Sequence, residues 1–397
     1  MQLQNIRMWI ARNIDRLIRT FHREFSALII TGARQTGKTS ILRHIFPEAS
    51  YVSLDDPDQA ANAENSPKEF LENLKTPAII DEAQYAPSLF RFLKIHIDRS
   101  KKKGLYLLTG SQQFSLMKNV SESLAGRCGV IHLYTLAAGE LQAAIPSIKI
   151  EEIILKGGYP ELYSGKHGDG KHWFPSYLST YLERDVRNTI NIAHLRDFNL
   201  FMRALALRTG QVLSLSGLAR DVGVAPNTIK SWLSVLEASQ HIYLLSPYHR
   251  NIGKRLVKSP KIYFCDTGLA VYLMGLKSWN DVRDSLYAGS IWETFVFNQI
   301  LKHLVNKGEA SPNIWFWRTN IGEEVDFLIE KGGRFIAVES KLTENPSVND
   351  IKGFKALQNY YGENCIIKSI LACKVGTSFK LDKETLVSNF LDCKILD

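Results

Sequence analysis

Eight consecutive residues constrain this chain more than any others. Gly32-Ala33-Arg34-Gln35-Thr36-Gly37-Lys38-Thr39 fits G-x-x-x-x-G-K-[ST] without a mismatch. The pattern follows a short apolar run, Ala27-Leu28-Ile29-Ile30-Thr31, and precedes Ser40-Ile41-Leu42-Arg43-His44-Ile45, which reads as a helix. Strand, Gly-rich loop and helix in that order turn backbone N–H groups towards one point, with the positive end of the helix dipole behind them. Such a concavity holds phosphate. Every residue from Gly32 to Ser40 is therefore a candidate nucleotide-binding position. Lys38 reaches the β- and γ-phosphates of ATP, and the Thr39 hydroxyl ligates Mg²⁺.

A second segment complements the first. Pro77-Ala78-Ile79-Ile80-Asp81-Glu82 is an apolar strand that ends in two carboxylates. Asp81 is placed to hold Mg²⁺ through water, and Glu82 to orient and polarise the attacking water. That adjacent pair favours hydrolysis over phosphate transfer to a small molecule. A third strand, Leu105 to Thr109, runs into Gly110 and Ser111; Thr109 and Ser111 are candidates to sense the γ-phosphate. Further on, Ser123-Leu124-Ala125-Gly126-Arg127 offers Arg127 as a finger that stabilises transition-state charge, in cis or across a subunit boundary. With Tyr51–Leu54 and Gly129–Leu133 also strand-like, the alternation of strands and helices implies a parallel α/β sheet.

The chain has 397 residues, enough for two or three domains. It carries 49 Lys+Arg against 40 Asp+Glu, a formal charge of +9. The excess is uneven: net +5 over residues 1–150, −1 over 151–175, +6 over 176–260 and −1 over 261–397. A positive field of this kind gathers polyanions, and DNA is the expected partner. The five cysteines form no C-x-x-C pair, which argues against a disulfide framework. The N-terminus is interrupted by Arg7 and Arg12 and reads as an amphipathic helix over 5–24 rather than a signal peptide. No apolar run approaches the ~18–20 residues that a membrane span needs. A soluble cytoplasmic protein with no membrane partner is the expectation.

The motifs G-A-R-Q-T-G-K-T, I-I-D-E-A-Q, L-T-G-S, S-L-A-G-R, G-G-Y-P-E and Y-L-E-R-D-V occur in that order. In this the chain resembles the bacterial and archaeal AAA-type P-loop ATPases that carry a C-terminal domain of unknown function with a restriction-endonuclease-like core. The resemblance implies a helical lid containing Gly157–Glu161. It also implies a homo-oligomer, because AAA-type ATPases often complete their site with a neighbour's arginine. The expected division is a P-loop domain over 1–148, a helical lid over 149–212, a winged helix over 213–280 and an α/β endonuclease-like domain over 281–397.

The last two units are read from residues as well. Leu215 to Val224 gives the first helix and turn of a helix-turn-helix, and Pro226 opens the second helix. Ile229, Trp232, Leu233 and Leu236 form its buried side, while Asn227, Thr228, Lys230 and Ser231 face outwards, suited to phosphate and base-edge contacts. A hairpin from His241–Leu245 to Lys261–Phe264 follows, its turn carrying Arg250, Lys254, Arg255 and Lys258 as a basic wing. In the C-terminal part, Val325–Ile329 and Arg334–Lys341 read as paired strands. Alternation puts Glu339 and Lys341 on one face, near Asp326, with Glu293 on a helix over 291–304. This is an E…D…E-x-K set: Asp326 and Glu339 for Mg²⁺, Lys341 to activate water or steady phosphate. The reading is a Mg²⁺-dependent ATPase acting on duplex or branched DNA. Its rivals are a nucleotide-gated protein-interaction switch with an inert C-terminal scaffold, and an ATP-controlled DNA nuclease.

Overall fold

The computed structural model describes residues 9–110, 116–117, 120, 122–165, 171–182, 195–249 and 259–397. Ser111, Arg250, Lys254, Arg255 and Lys258 lie outside the described residues, as does Glu183–Val186.

A five-stranded parallel sheet comes first. Its strands are β1 (Ala27–Thr31), β2 (Ser50–Ser53), β3 (Ala78–Asp81), β4 (Tyr106–Gly110) and β5 (Cys128–His132), in the order β2-β3-β4-β1-β5. All five residues of β1 are buried. Leu28 and Ile30 face one apolar layer with α1 (Asp15–Glu24) and α2 (Lys38–Ile45), and Ile29 faces another with α3 (Leu89–Ser100). Burying each such side chain contributes about 1.5–3 kcal/mol. The register pairs Thr31 with Gly110 and Ser53 with Asp81, so the strands end level at one edge. In an open parallel sheet that carboxyl edge is where a ligand site forms.

Helix α1 begins at Asp15, later than the expected helix over 5–24. The reason is tertiary. Arg12 Nε donates to Glu140 Oε2 at 3.2 Å, its two terminal nitrogens donate to Thr36 O and Tyr134 O, and Asn13 N donates to Glu140 Oε1 at 2.6 Å. These bonds hold 12–13 in a conformation that a helix would forbid.

After Ile150–Lys156 and Trp173–Tyr177 comes α4 (Leu195–Ala206), then α5 (Leu215–Val222) and α6 (Pro226–Ala238). Ser214 caps α5 by accepting from Gly217 N, and Pro226 sits in the first turn of α6. A two-stranded antiparallel ribbon follows, β6 (Ile242–Leu245) with β7 (Lys261–Phe264). The helix Trp173–Tyr177 runs on into a π-helical turn, Leu178–Leu182.

Beyond α7 (Thr267–Met274), the 19-residue α8 (Ala288–Asn306) packs on a six-stranded mixed sheet. Its strands are β8 (Ile314–Arg318), β9 (Glu324–Lys331), β10 (Arg334–Lys341), β11 (Ile366–Cys373), β12 (Phe379–Lys380) and β13 (Thr385–Ser388), in the order β12-β13-β11-β10-β9-β8. Strands β9 and β10 are joined by Gly332-Gly333, both at positive φ, as a two-residue hairpin turn requires. The parallel step from β10 to β11 crosses through α9 (Lys352–Tyr361).

One apolar cluster runs without a break from Tyr159 and Leu162, through Leu218 and Trp232, to Phe295 and Val338. The middle and C-terminal parts therefore share a core. No helix among the described residues is long and apolar enough to cross a membrane. The Arg12–Glu140 pair is 6% and 1% exposed. Glu140→Ala strands a buried guanidinium and is expected to destabilise the protein by about 3–5 kcal/mol. A lowered urea midpoint at unchanged slope is the readout; an unmoved midpoint refutes the assignment.

Candidate functional site

The loop after β1 is built for close backbone approach. Gly32 has φ +151°, and a Cβ there would lie 2.3 Å from Leu133 O. Gly37, at φ +91°, starts α2. Thr36 Oγ1 donates to Ala33 O at 2.9 Å, closing the curl. Lys38 is buried, and its Nζ donates to Gly32 O and Ala33 O, each at 3.0 Å. The ammonium thus rides on the loop itself, next to where phosphate would rest. Arg34, Gln35 and Ser40 lie on the same curl and the first turn of α2.

The acidic strand end meets this loop. Thr39 Oγ1 donates to Asp81 Oδ1 at 2.8 Å, Tyr51 OH donates to Oδ2 at 3.1 Å, and the Thr109 hydroxyl also donates to Oδ1. Burial and then the Asp81 charge push the Tyr51 hydroxyl up from its ordinary range. Glu82 follows in the left-handed region, φ +52°, and accepts from Gln84 Nε2 at 2.5 Å. Thr109, expected to sense phosphate, spends its hydroxyl on Asp81. A hydroxyl and a carboxylate converging on one point are oxygen donors that suit Mg²⁺.

Of the two roles expected for Arg127, the one within a single chain is not met. The residue immediately precedes β5, and its carbonyl accepts from Ala27 N at the amino end of β1. The loop lies at the other end of that five-residue strand, about 15 Å away at ~3.3 Å per residue. Arg127 instead grips Asp98 on α3 with two bonds of 2.6 and 2.9 Å. Within one chain it does not reach the loop.

Several residues at the site carried no motif. Arg12 ties Thr36 O to Glu140. A cavity of about 240 Å³ opens beside Gly37 and Ser40, with Trp9, Ile10, Ile41, Leu136 and Pro160 in its walls. Trp9 stacks on His44 with centroids 4.0 Å apart. Behind the loop, Tyr177 OH donates to Arg34 O at 3.4 Å and pairs with His241 Nε2 at 2.9 Å, while Ser239 Oγ pairs with His241 Nδ1 at 2.8 Å. Gln240 Nε2 pairs with His132 Nδ1 at 2.7 Å. The residues just after α6 thus lie against the phosphate loop. In the G-G-Y-P-E stretch, Gly158 N donates to Asp266 Oδ2 at 2.8 Å, beyond β7.

On α6, Asn227 and Lys230 are exposed and Thr228 is half-buried. In the C-terminal sheet the expected set does assemble. Glu339 Oε1 accepts from Lys341 Nζ at 2.9 Å, and Asp326 Oδ2 accepts from Ser340 N and Oγ at 2.8 and 2.7 Å. Burial first, then Asp326, pushes Glu339 up to about 8 and Glu293 up to about 7. Two residues were missed, Lys261 and Glu324. Lys261 Nζ lies 2.8 Å from Glu293 Oε1 and 2.5 Å from Glu324 Oε1. Among the described residues, no group of three or more His, Cys, Asp or Glu is disposed to hold a metal ion. Asp326 Oδ1 faces Lys261 Nζ at 3.9 Å, and Glu339 Oε1 faces Lys341 Nζ at 2.9 Å.

Three family patterns match in sequence: an AAA domain over residues 24–142, a domain of unknown function (DUF8612) over 147–280, and another (DUF4143) over 288–391. The uncharacterized proteins Rv2008c of Mycobacterium tuberculosis and Mb2031c of Mycobacterium bovis are each 32% identical over 339 residues, covering 84% of this chain and 74% of theirs. The chain belongs to their family. Among solved structures, the Walker-type ATPase PABY2304 of Pyrococcus abyssi aligns over 67% of this chain and 96% of its own, at 16% identity and a TM-score of 0.44. The Thermotoga maritima RuvB Holliday junction branch migration motor aligns over 63% and 96%, at 15% identity and 0.30.

The parallel-sheet unit of this family member is thus an ATPase-like AAA domain of the P-loop class. His241 gives it a pH signature. Burial, then the charge of Lys38, depresses the imidazole to about 4. The unfolded chain, titrating near 6.5, then binds the extra proton between those values. The stabilisation is complete above pH 6.5 and is lost as pH falls towards 4, about 3 kcal/mol over the range. His241→Gln should flatten that arm of the stability–pH curve; an unchanged slope refutes it.

Proposed function

We propose that this protein is a Mg²⁺-dependent ATPase that acts on DNA. The observation that carries the ATPase part is the Thr39–Asp81 hydrogen bond, which joins the phosphate loop to the acidic end of β3. In this reading the backbone of Gly32 to Gly37, with Ser40, cradles the phosphates, and Lys38 leaves its two carbonyls to meet the β- and γ-oxygens. Thr39 and Asp81 hold Mg²⁺, which neutralises phosphate charge when bound. Glu82 orients the attacking water, and Gln84 fixes the rotamer of Glu82. Ser111 senses the γ-phosphate. The cavity walled by Trp9, Ile41 and Pro160 takes the base. Arg127 acts only on the site of a neighbouring subunit, which makes a homo-oligomer part of the reading.

The DNA part rests on charge and exposure. Residues 176–260 are net +6, and the helix-turn-helix with its ribbon supports a winged-helix reading, with Asn227, Thr228 and Lys230 as contacts. Arg250, Lys254 and Arg255 complete the wing in this proposal. Contacts of this kind are mainly electrostatic. Gln240 and His241, at the foot of α6, lie against the phosphate loop, so in this reading α6 links nucleotide turnover to DNA grip. The protein works in the cytoplasm in this reading.

One observation favours a second reading, a nucleotide-gated switch with an inert C-terminal scaffold: the ammonium of Lys261 sits inside the carboxylate set. That same contact weighs against the ATP-controlled nuclease.

Lys38→Ala should abolish binding of a fluorescent ATP analogue. Glu82→Gln should bind it at wild-type affinity while turnover falls about 100-fold or more. Hydrolysis by Glu82→Gln at the wild-type rate would remove the role given to that carboxylate. For DNA, the full chain should bind duplex at low salt with an affinity that falls log-linearly as salt rises. Failure to bind even at low salt transfers the protein to the second reading.

A further inference from the structure

Strand β7 inserts a lysine into the acid set of the C-terminal sheet. Lys261 Nζ lies 2.8 Å from Glu293 Oε1 on α8, 2.5 Å from Glu324 Oε1 and 3.9 Å from Asp326 Oδ1 on β9. Its side chain is only 5% exposed. Tyr263 OH, two residues on, donates to the same Glu293 oxygen at 2.5 Å. Against burial, which alone would depress it, these carboxylates hold the Lys261 ammonium charged.

The position of this ammonium is set by backbone. Lys261 pairs with Leu245 across the ribbon and bridges to Val212 on its other side. Its neighbours are pinned too, with Leu213 N donating to Pro260 O at 2.8 Å and Gly210 N to Ile262 O at 2.7 Å. Lys261 Nζ lies over the Phe316 ring, 5.5 Å from the centroid. A strand held on both edges delivers the cation to a fixed point.

Buried carboxylates that crowd together need a counter-charge. A divalent metal is one solution; a tethered ammonium is another. They exclude each other here, because an Mg²⁺ bound at ~2.1 Å to the Glu293 and Glu324 oxygens would stand against the ammonium that already touches both. We propose that Lys261 is a built-in cation that takes the place of a divalent metal among Glu293, Glu324 and Asp326, and closes the C-terminal site to Mg²⁺. An ammonium donates hydrogen bonds but offers no vacant orbital to polarise a phosphoryl oxygen or a bound water. Lys261 with Glu293, Glu324 and Asp326 is therefore an ionic joint between β7, α8 and β9. This inference does not depend on the ATPase reading.

Removing the lysine should create the metal site that it replaces. Nucleotide-free full-length protein is titrated with Mn²⁺ by calorimetry. Wild type should show no binding that depends on Asp326. Lys261→Met should gain one Mn²⁺ site per chain, with a raised Tm in Mn²⁺, and Lys261→Met/Asp326→Asn should lose both. A wild-type Mn²⁺ site that vanishes in Asp326→Asn overturns the proposal, and that arm holds whether or not Lys261→Met folds. A folded Lys261→Met that takes up no Mn²⁺, and whose Tm Mn²⁺ leaves unmoved, overturns it equally.

Discussion

The hydrogen bond from Thr39 to Asp81 is the point on which the AAA unit turns. It exists because β1 and β3 end at the same edge of one parallel sheet, with β4 between them. The loop after β1 and the acid at the end of β3 are 42 residues apart in the chain, and only the level register of buried strands brings them within 2.8 Å. Tyr51 from β2 and Thr109 from β4 converge on the same carboxylate. Four strands therefore contribute to one polar cluster, and slippage of any of them would break it.

Around this cluster, the rest of the chain is packed close. Tyr177 and the Ser239–His241 segment reach the back of the phosphate loop, while Arg12 grips its Thr36 carbonyl. The imidazole between Ser239 and Tyr177 is buried and neutral. Burial first, and then the charge of Lys38, suppress its ordinary basicity. The loop is thus supported by residues from three distant stretches, each of which buries a polar group only because another answers it.

The phosphate loop and the acidic doublet were legible in sequence because their chemistry is local: eight contiguous residues set the curl, and an apolar run before Asp81 announces a strand end. All five strands of this sheet lie within a residue of their expected bounds for the same reason. The S-L-A-G-R motif leaves Arg127 open to a role in cis or across a subunit boundary, because a motif does not say which end of a strand it occupies; within the chain it pairs with Asp98. Arg12 looked like one of several solvated helix arginines, and nothing local distinguishes it from Arg16; its partner, Glu140, is 128 residues away. In sequence Lys261 reads as a ribbon residue and Glu324 carries no motif, since the ion cluster joins three elements that only tertiary packing unites. The E…D…E-x-K spacing did identify a real cluster, but spacing is blind to a cation supplied from elsewhere in the chain.

Helix α8 touches both halves of the molecule. Near its start Glu293 enters the ionic joint, and roughly two turns later Gln299 Oε1 accepts from Ala138 N at 2.8 Å. Lys302 Nζ, buried, donates to Thr135 Oγ1 at 2.9 Å and to Leu136 O at 3.0 Å. A stiff rod fastened at both ends leaves little freedom to hinge. Any swing of the nucleotide unit away from the C-terminal sheet would pull Lys302 off its oxygens and strand a desolvated ammonium, a penalty of several kcal/mol. Rearrangements that keep α8 seated, such as flexing of the segments around it, carry no such penalty.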